Sequence, residues 1–156
     1  MTALDILTRC RTGGSEIEHI SESIEMRRDA LERCTRQLSG LPGGSGGTND
    51  VMASMVGEIV DLEKALARRK RAFAAELCAG VWIVDLLPIP ERGIIRGWFI
   101  DRKSLAAIAK AENYSISSVK RIRASGIEIC REIDAGRMAG FLPEWYERSY
   151  INDGSQ

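Results

Sequence analysis

Residues 104–123 read SLAAIAKAENYSISSVKRIR, and this stretch decides the fold. It carries two short helical patterns separated by a tight turn. In the first pattern Ile108 and Ala109 face inward. Asn113 stands where a sharp turn needs a residue tolerant of positive φ, and Tyr114 is placed to plug that turn. A second helix follows. Ser115 or Ser117 can cap it by accepting the free N–H groups of its first turn. From there Val119, Ile122, Gly126, Ile129 and Ile133 recur at steps of three and four, one apolar stripe on a helix. The opposite face carries Ser117, Lys120, Arg121 and Ala124, flanked by Ser118 and Arg123.

This is the sequence form of a helix-turn-helix, and it points to DNA. In that motif the first residues of the second helix reach base edges in the major groove. Arg and Lys suit guanine, while small hydroxyls suit a base or a phosphate. The expected DNA-binding set is therefore Ser115, Ser117, Ser118, Lys120, Arg121 and Arg123. Arg102 and Lys103 would touch the backbone just before the first helix. The plainer alternative is an amphipathic helix with a solvated basic face. Glu112 departs from the pattern, since such turns bury an apolar residue there; either the packing is looser or its stem snorkels.

The charge distribution agrees with this placement. The 156 residues hold 22 basic and 22 acidic side chains, so the formal net charge is zero. That counts against a nonspecific nucleic-acid coat. Residues 91–137 hold 10 basic and 6 acidic side chains, a net of +4. Residues 1–50 hold 6 and 8, residues 51–90 hold 5 and 5, and residues 138–156 hold 1 and 3. The positive excess falls where phosphate attraction requires it.

The N-terminal half reads differently. Ile17, Ile20, Ile24, Arg27, Leu31, Cys34 and Leu38 form an a/d heptad pattern. It returns in Met52, Met55, Ile59, Leu62, Leu66, Arg69 and Phe73. Each seam contains one arginine, which would serve to fix register or oligomeric state. Pairs such as Asp29 with Arg33 support the exposed faces. Two such helices around the Gly-rich segment 40–50 predict an antiparallel hairpin. A lone hairpin leaves apolar edges, here Val56, Val60 and Leu77. These would meet the C-terminal domain, a second copy or another protein. The run Arg68-Arg69-Lys70-Arg71 spreads around its helix and reads as solvated or brushing phosphate.

Leu87-Pro88-Ile89-Pro90 marks a boundary, because proline disfavours helix in the residue before it. Pro90 suits the first turn of the next helix, which would bury Ile94, Ile95, Trp98 and Phe99. The expected division is a helical hairpin over 1–87, a helix-turn-helix domain over 88–137 and an aromatic tail over 138–156. That tail holds Phe141, Trp145, Tyr146 and Tyr150, a density unusual for a disordered segment. It would either clamp the helix-turn-helix against the hairpin or bind a partner. Residues 152–156 are expected to be disordered.

Other chemistries find little footing. Cys10, Cys34, Cys78 and Cys130 have no C-x-x-C spacing, and His19 is the single histidine, so neither a zinc site nor a cofactor is expected. The glycines of GLPGGSGGT, residues 40–48, lack the lysine and the preceding strand of a P-loop. No nucleophile–base pair is evident, which argues against an enzyme. The cysteines read as reduced thiols of a cytoplasmic protein. No signal peptide or ~20-residue apolar span is present, so no membrane partner is expected.

Residues 86–101, LLPIPERGIIRGWFID, and 108–129, IAKAENYSISSVKRIRASGIEI, resemble the fourth region of bacterial sigma factors. With the Gly-rich loop and following helix, LPGGSGGTNDVMASMVGEIVDLE at 41–63, the chain is similar to phage transcription regulators of the RinA and ArpU type. The resemblance covers roughly residues 15–135. It implies a sigma-like, phage-encoded regulator acting on double-stranded DNA in the cytoplasm of a bacterial host. The hairpin would form a homo-oligomer or touch RNA polymerase. The overall expectation is an all-α protein with a coiled-coil-like hairpin and a C-terminal helix-turn-helix. Two other readings remain open: a DNA-packaging subunit that builds a ring like a small terminase, and an anti-sigma-type module that binds protein alone.

Overall fold

The structure is a computed structural model and describes residues 1–39, 46–133 and 140–146, apart from the side chain of Thr48. It is all-α. Two long helices come first, α1 (Ala3–Leu38) and α2 (Gly46–Asp85). A short α3 (Glu91–Ile95) runs directly into a π-helical turn, Arg96–Ile100. Then come α4 (Leu105–Glu112) and α5 (Ile116–Glu132). Most of the Gly-rich connector and the tail from residue 147, Tyr150 included, lie outside the described residues.

The chain divides into two compact units. One is Ser15–Arg71, holding the middle of α1 and the first part of α2. Its heptad positions turn inward. Ile24 and Ile59 are buried, and the other apolar members are half-buried. The pairing is antiparallel: Arg69 Nε lies 2.6 Å from Glu16 Oε2, and Arg27 Nε lies 3.2 Å from Glu58 Oε2. Each seam arginine thus has a carboxylate on the facing helix of the same chain. Arg27 also donates to the Ser23 carbonyl at 3.3 Å. The pair expected between Asp29 and Arg33 is absent among the described residues. Glu25 with Arg28, Glu32 with Arg36, and Arg28 with Glu63 pair instead. Val56 and Val60 are exposed, as are Met26 and Val51.

The other unit joins Met1–Gly14 to everything from Ala72 onward. This differs from the expected boundary at residues 87 and 88, and the reason is hydrophobic. Ala3, Ile6, Leu7 and Cys10 bury with Ala79, Ile83, Val84 and Leu87, and the same cluster takes in Ile95, Phe99 and Cys130. Each large aliphatic so buried contributes ~1.5–3 kcal/mol. Leu77, expected at an exposed edge, packs against this cluster. The helices approach closely at Gly80, where an added Cβ would stand 2.7 Å from Cys10 Sγ and 2.8 Å from Ile100 Cδ1.

Local devices set the ends of these helices. Thr2 and Asp5 cap α1 reciprocally: the Thr2 N–H donates to Asp5 Oδ2 at 2.7 Å, and the Asp5 N–H donates to Thr2 Oγ1 at 3.2 Å. This is a capping box in which Asp stands in for Glu. Arg92 closes the end of α2 by donating to the carbonyls of Leu87 and Asp85. Pro90 is the N-cap of α3 and not part of its first turn, and the Ile89–Pro90 bond is cis.

The described part of the aromatic tail docks onto the same unit. Phe141 stacks on Trp82 with ring centroids 6.2 Å apart, and Leu142 is buried. Tyr146 is fully buried. Its hydroxyl donates to Glu76 Oε1 at 2.6 Å and accepts from Arg9 at 2.8 Å. Glu76 is the buried acid of this core, and a buried carboxylate needs such donors. The tail therefore clamps the first turns of α1 to the last turns of α2.

Candidate nucleic-acid interface

A second buried cluster holds α4 against α5: Ile94, Ile108, Ala109, Val119 and Ile122, with Leu105 and Trp98 packed at its edge. The turn between the helices has the required backbone. Asn113 sits at φ 57° and ψ 40°, in the left-handed region, and Asn113 and Tyr114 both donate their N–H groups to the Ala109 carbonyl. An asparagine tolerates this conformation better than a β-branched or bulky residue. Ser104 caps α4 by accepting the Ala107 N–H at 3.2 Å. Ser115 caps α5 by accepting the Ser118 N–H at 3.1 Å. Of the two serines that could cap α5, Ser115 does so, which leaves Ser117 outward.

The apolar stripe of α5 faces in. Val119, Ile122, Gly126 and Cys130 are buried, and Ile129 and Ile133 are half-buried. Gly126 is obligatory in this packing, since a Cβ there would lie 2.6 Å from Ile95 Cγ1. Burial pushes the Cys130 thiol up to about 11. On the other face Ser117, Lys120, Arg121 and Ala124 are exposed. The helix thus carries two cations and the Ser117 hydroxyl outward on a rigid apolar base.

Not every expected site residue joins this face. Ser118 is half-buried, and its hydroxyl bonds Ser115 Oγ at 2.9 Å. Arg123 is half-buried and lies over the Trp98 ring, 4.3 Å from its centroid. Lys103 is exposed but stands 3.9 Å from Asp101. Arg102 is exposed and adopts φ 56°. Glu112 remains exposed; its carboxylate rests over Gly93 of α3, in the space a Cβ would fill. The absent side chain at Gly93 is what accommodates an acid where an apolar residue was expected.

One residue of this surface was expected inside the turn, and a second was not singled out from the sequence. Tyr114 does not plug the turn: it is 40% exposed, and Ile116 beside it is 47% exposed. Both flank Ser115 at the tip of α5. An apolar residue at that tip is suited to a thymine methyl. Alternation of exposed apolar and hydroxyl residues across 114–117 was the available signal.

No family model, no curated protein and no solved structure matches this chain.

Proposed function

We propose that this protein is a sequence-specific DNA-binding regulator of transcription that places α5 in the major groove. The observation that carries the reading is the first part of α5. Val119 and Ile122 anchor its inner face, while Ser117, Lys120 and Arg121 project from the outer one. Arg121 and Lys120 would read guanine or hold phosphate, and Ile116 and Tyr114 would contact thymine methyls or sugars. Ser115 sets the start of the helix. The net positive charge of residues 91–137 would steer the duplex to this face. The resemblance to sigma-like phage regulators points the same way.

Selection of bound duplexes from a random pool at physiological salt tests the proposal. A recurring motif is expected. Replacing Arg121 with Ala should then weaken binding to that motif by ~1–3 kcal/mol if it reads a base. An equal loss on every sequence would make it a phosphate contact, and no enriched motif would overturn the reading.

A second reading, an assembly subunit in a closed ring, is favoured by the exposed Met26, Val51, Val56 and Val60 of the hairpin. A mass larger than a dimer in solution would support it.

A further inference from the structure

Gly13 and Gly14 stand in succession inside α1, although each is ~1 kcal/mol worse than alanine in a helix interior. At Gly14 the space a side chain would fill is taken by another residue. An added Cβ would collide with the guanidinium of Arg102, whose central carbon would be 2.9 Å away. Arg102 itself holds a left-handed backbone at φ 56°, a conformation that costs a side-chain-bearing residue ~1–2 kcal/mol. The guanidinium of Arg102 is thus set against α1 at a glycine. Backbone strain of this kind marks sites whose geometry serves something other than stability.

The neighbours of that guanidinium are also arginines. Arg11 lies one turn before Gly14 on the same helix face. Its guanidinium carbon is 3.6 Å from the centroid of Trp98, over which Arg123 also lies at 4.3 Å. The two guanidinium carbons are therefore within about 8 Å of each other, since both distances run to one ring. Arg11 also donates to the Trp98 carbonyl. No carboxylate among the described residues pairs with Arg11, Arg102 or Arg123; Asp101, next in sequence, stands by Lys103. Burial, then the charges of Arg123 and Arg102, hold the Arg11 guanidinium below its ordinary value. The Trp98 ring offsets part of this repulsion. An anion with several oxygens would offset the rest, because planar guanidinium forks match phosphate.

We propose that Arg11 and Arg123, which share the Trp98 ring, and Arg102, whose guanidinium lies at Gly14 one turn from Arg11, form a seat for a phosphate group. For the source of that phosphate the proposal rests on the DNA-binding reading: a backbone phosphodiester of the duplex whose major groove α5 enters. Lys120 and Arg121 then address the groove, and Arg123, from the same helix, addresses the strand beside it. A free phosphate compound offers the same chemistry from another source.

The full chain and two variants separate these outcomes. Arg102→Gln removes one charge. Gly14→Ala keeps every charge but displaces the Arg102 guanidinium, and it gives α1 a better helix former. Binding of a labelled random-sequence duplex is measured across a salt series. In parallel, the melting temperature is followed with inorganic phosphate against chloride at equal ionic strength. Arg102→Gln should lower the slope of log affinity against log salt by about 1, the loss of one phosphate contact. Gly14→Ala should weaken duplex binding several-fold while melting no lower than the unaltered chain. A phosphate-dependent rise in melting temperature that Arg102→Gln abolishes would establish the seat even if no duplex binds; the DNA reading would then fall and a free phosphate compound would be the ligand. If the duplex binds and both variants leave slope, affinity and phosphate response unchanged, the seat is overturned. If neither duplex nor phosphate has any effect on the unaltered chain, both proposals fall.

Discussion

In Ser15–Arg71, two heptad side chains, Ile24 and Ile59, are buried, and arginines occupy the seam beside them. In the unit of Met1–Gly14 and Ala72 onward, a continuous apolar cluster runs from Ala3 through Ile83 to Tyr146. Both units are built from the same two long helices. Helical length alone does not make a core. The hairpin is held by half-buried stripes and by ion pairs that solvent can replace. The other unit is held by close packing, and its buried Glu76 is tied to a tyrosine and an arginine. The candidate DNA-binding surface belongs to the closely packed unit, where a rigid base can fix side-chain directions.

The largest expected effect tests that contrast directly. Ile83→Ala should destabilise its unit by about 3–4 kcal/mol, since it deletes fully buried methyl groups and leaves a cavity. Ile20→Ala in the hairpin should cost about 1 kcal/mol, because Ile20 is half-buried. Urea unfolding of both variants measures this; equal losses would erase the contrast.

Tyr146→Phe comes next, at about 2–3 kcal/mol, because it strips a donor from the buried Glu76 carboxylate. The same bond has a pH signature. Burial first, and then Glu76, hold the Tyr146 hydroxyl well above the usual tyrosine range. A raised folded value means that its stabilisation is complete below the unfolded value of about 10. It is lost as pH rises through the folded value. Thermal melts from neutral to strongly alkaline pH should show that loss, and Tyr146→Phe should lack it. A Phe variant as stable as the original chain would show that Glu76 does not depend on this donor.

Arg27→Leu is expected to change stability by less than about 1 kcal/mol, since the pair with Glu58 is largely exposed. It sharpens the question of the seam. If Arg27 has only its intrachain role, the mass by light scattering stays unchanged; a new, larger species would restore the idea that the seam arginine limits association.

The smallest effect lies at the first turn of α1. Hydrogen bonds from Thr2, backbone first, hold the Asp5 carboxyl below its ordinary value. A lowered folded value stabilises above about pH 4 and is lost as pH falls through it. Asp5 is largely exposed, so the loss should be only about 0.5 kcal/mol. Amide exchange at residues 3–6, faster at low pH, would report it, and Thr2→Ala should produce the same fraying at neutral pH.

What was legible in the sequence follows from the range of the interactions involved. The turn at Asn113, the Ser115 cap and the Val119–Ile122 stripe depend on residues a few positions apart, so local chemistry predicts them. The heptads of the hairpin are legible for the same reason. The pairing of Ala3, Ile6 and Leu7 with Ile83 and Leu87 crosses some eighty positions, and the expected boundary at residue 88 missed it. Arg11 carried no local sign of a site, because its place beside Arg123 depends on where Trp98 brings the two together. The outward Tyr114 had an apolar identity that argued for the opposite placement.

The π-helical turn at Arg96–Ile100 has one more consequence. Its carbonyls are reached from five and six residues on, by Asp101 from Arg96 at 3.0 Å and by Lys103 from Gly97 at 2.9 Å. A turn of that width absorbs one residue more than an α-turn, so it rephases whatever follows by about 100°. The segment works as a spacer whose length, more than its composition, sets the direction in which Arg102 and Lys103 leave the helix. A single-residue deletion there would leave a continuous helix in place and still turn those two side chains away from where they now point.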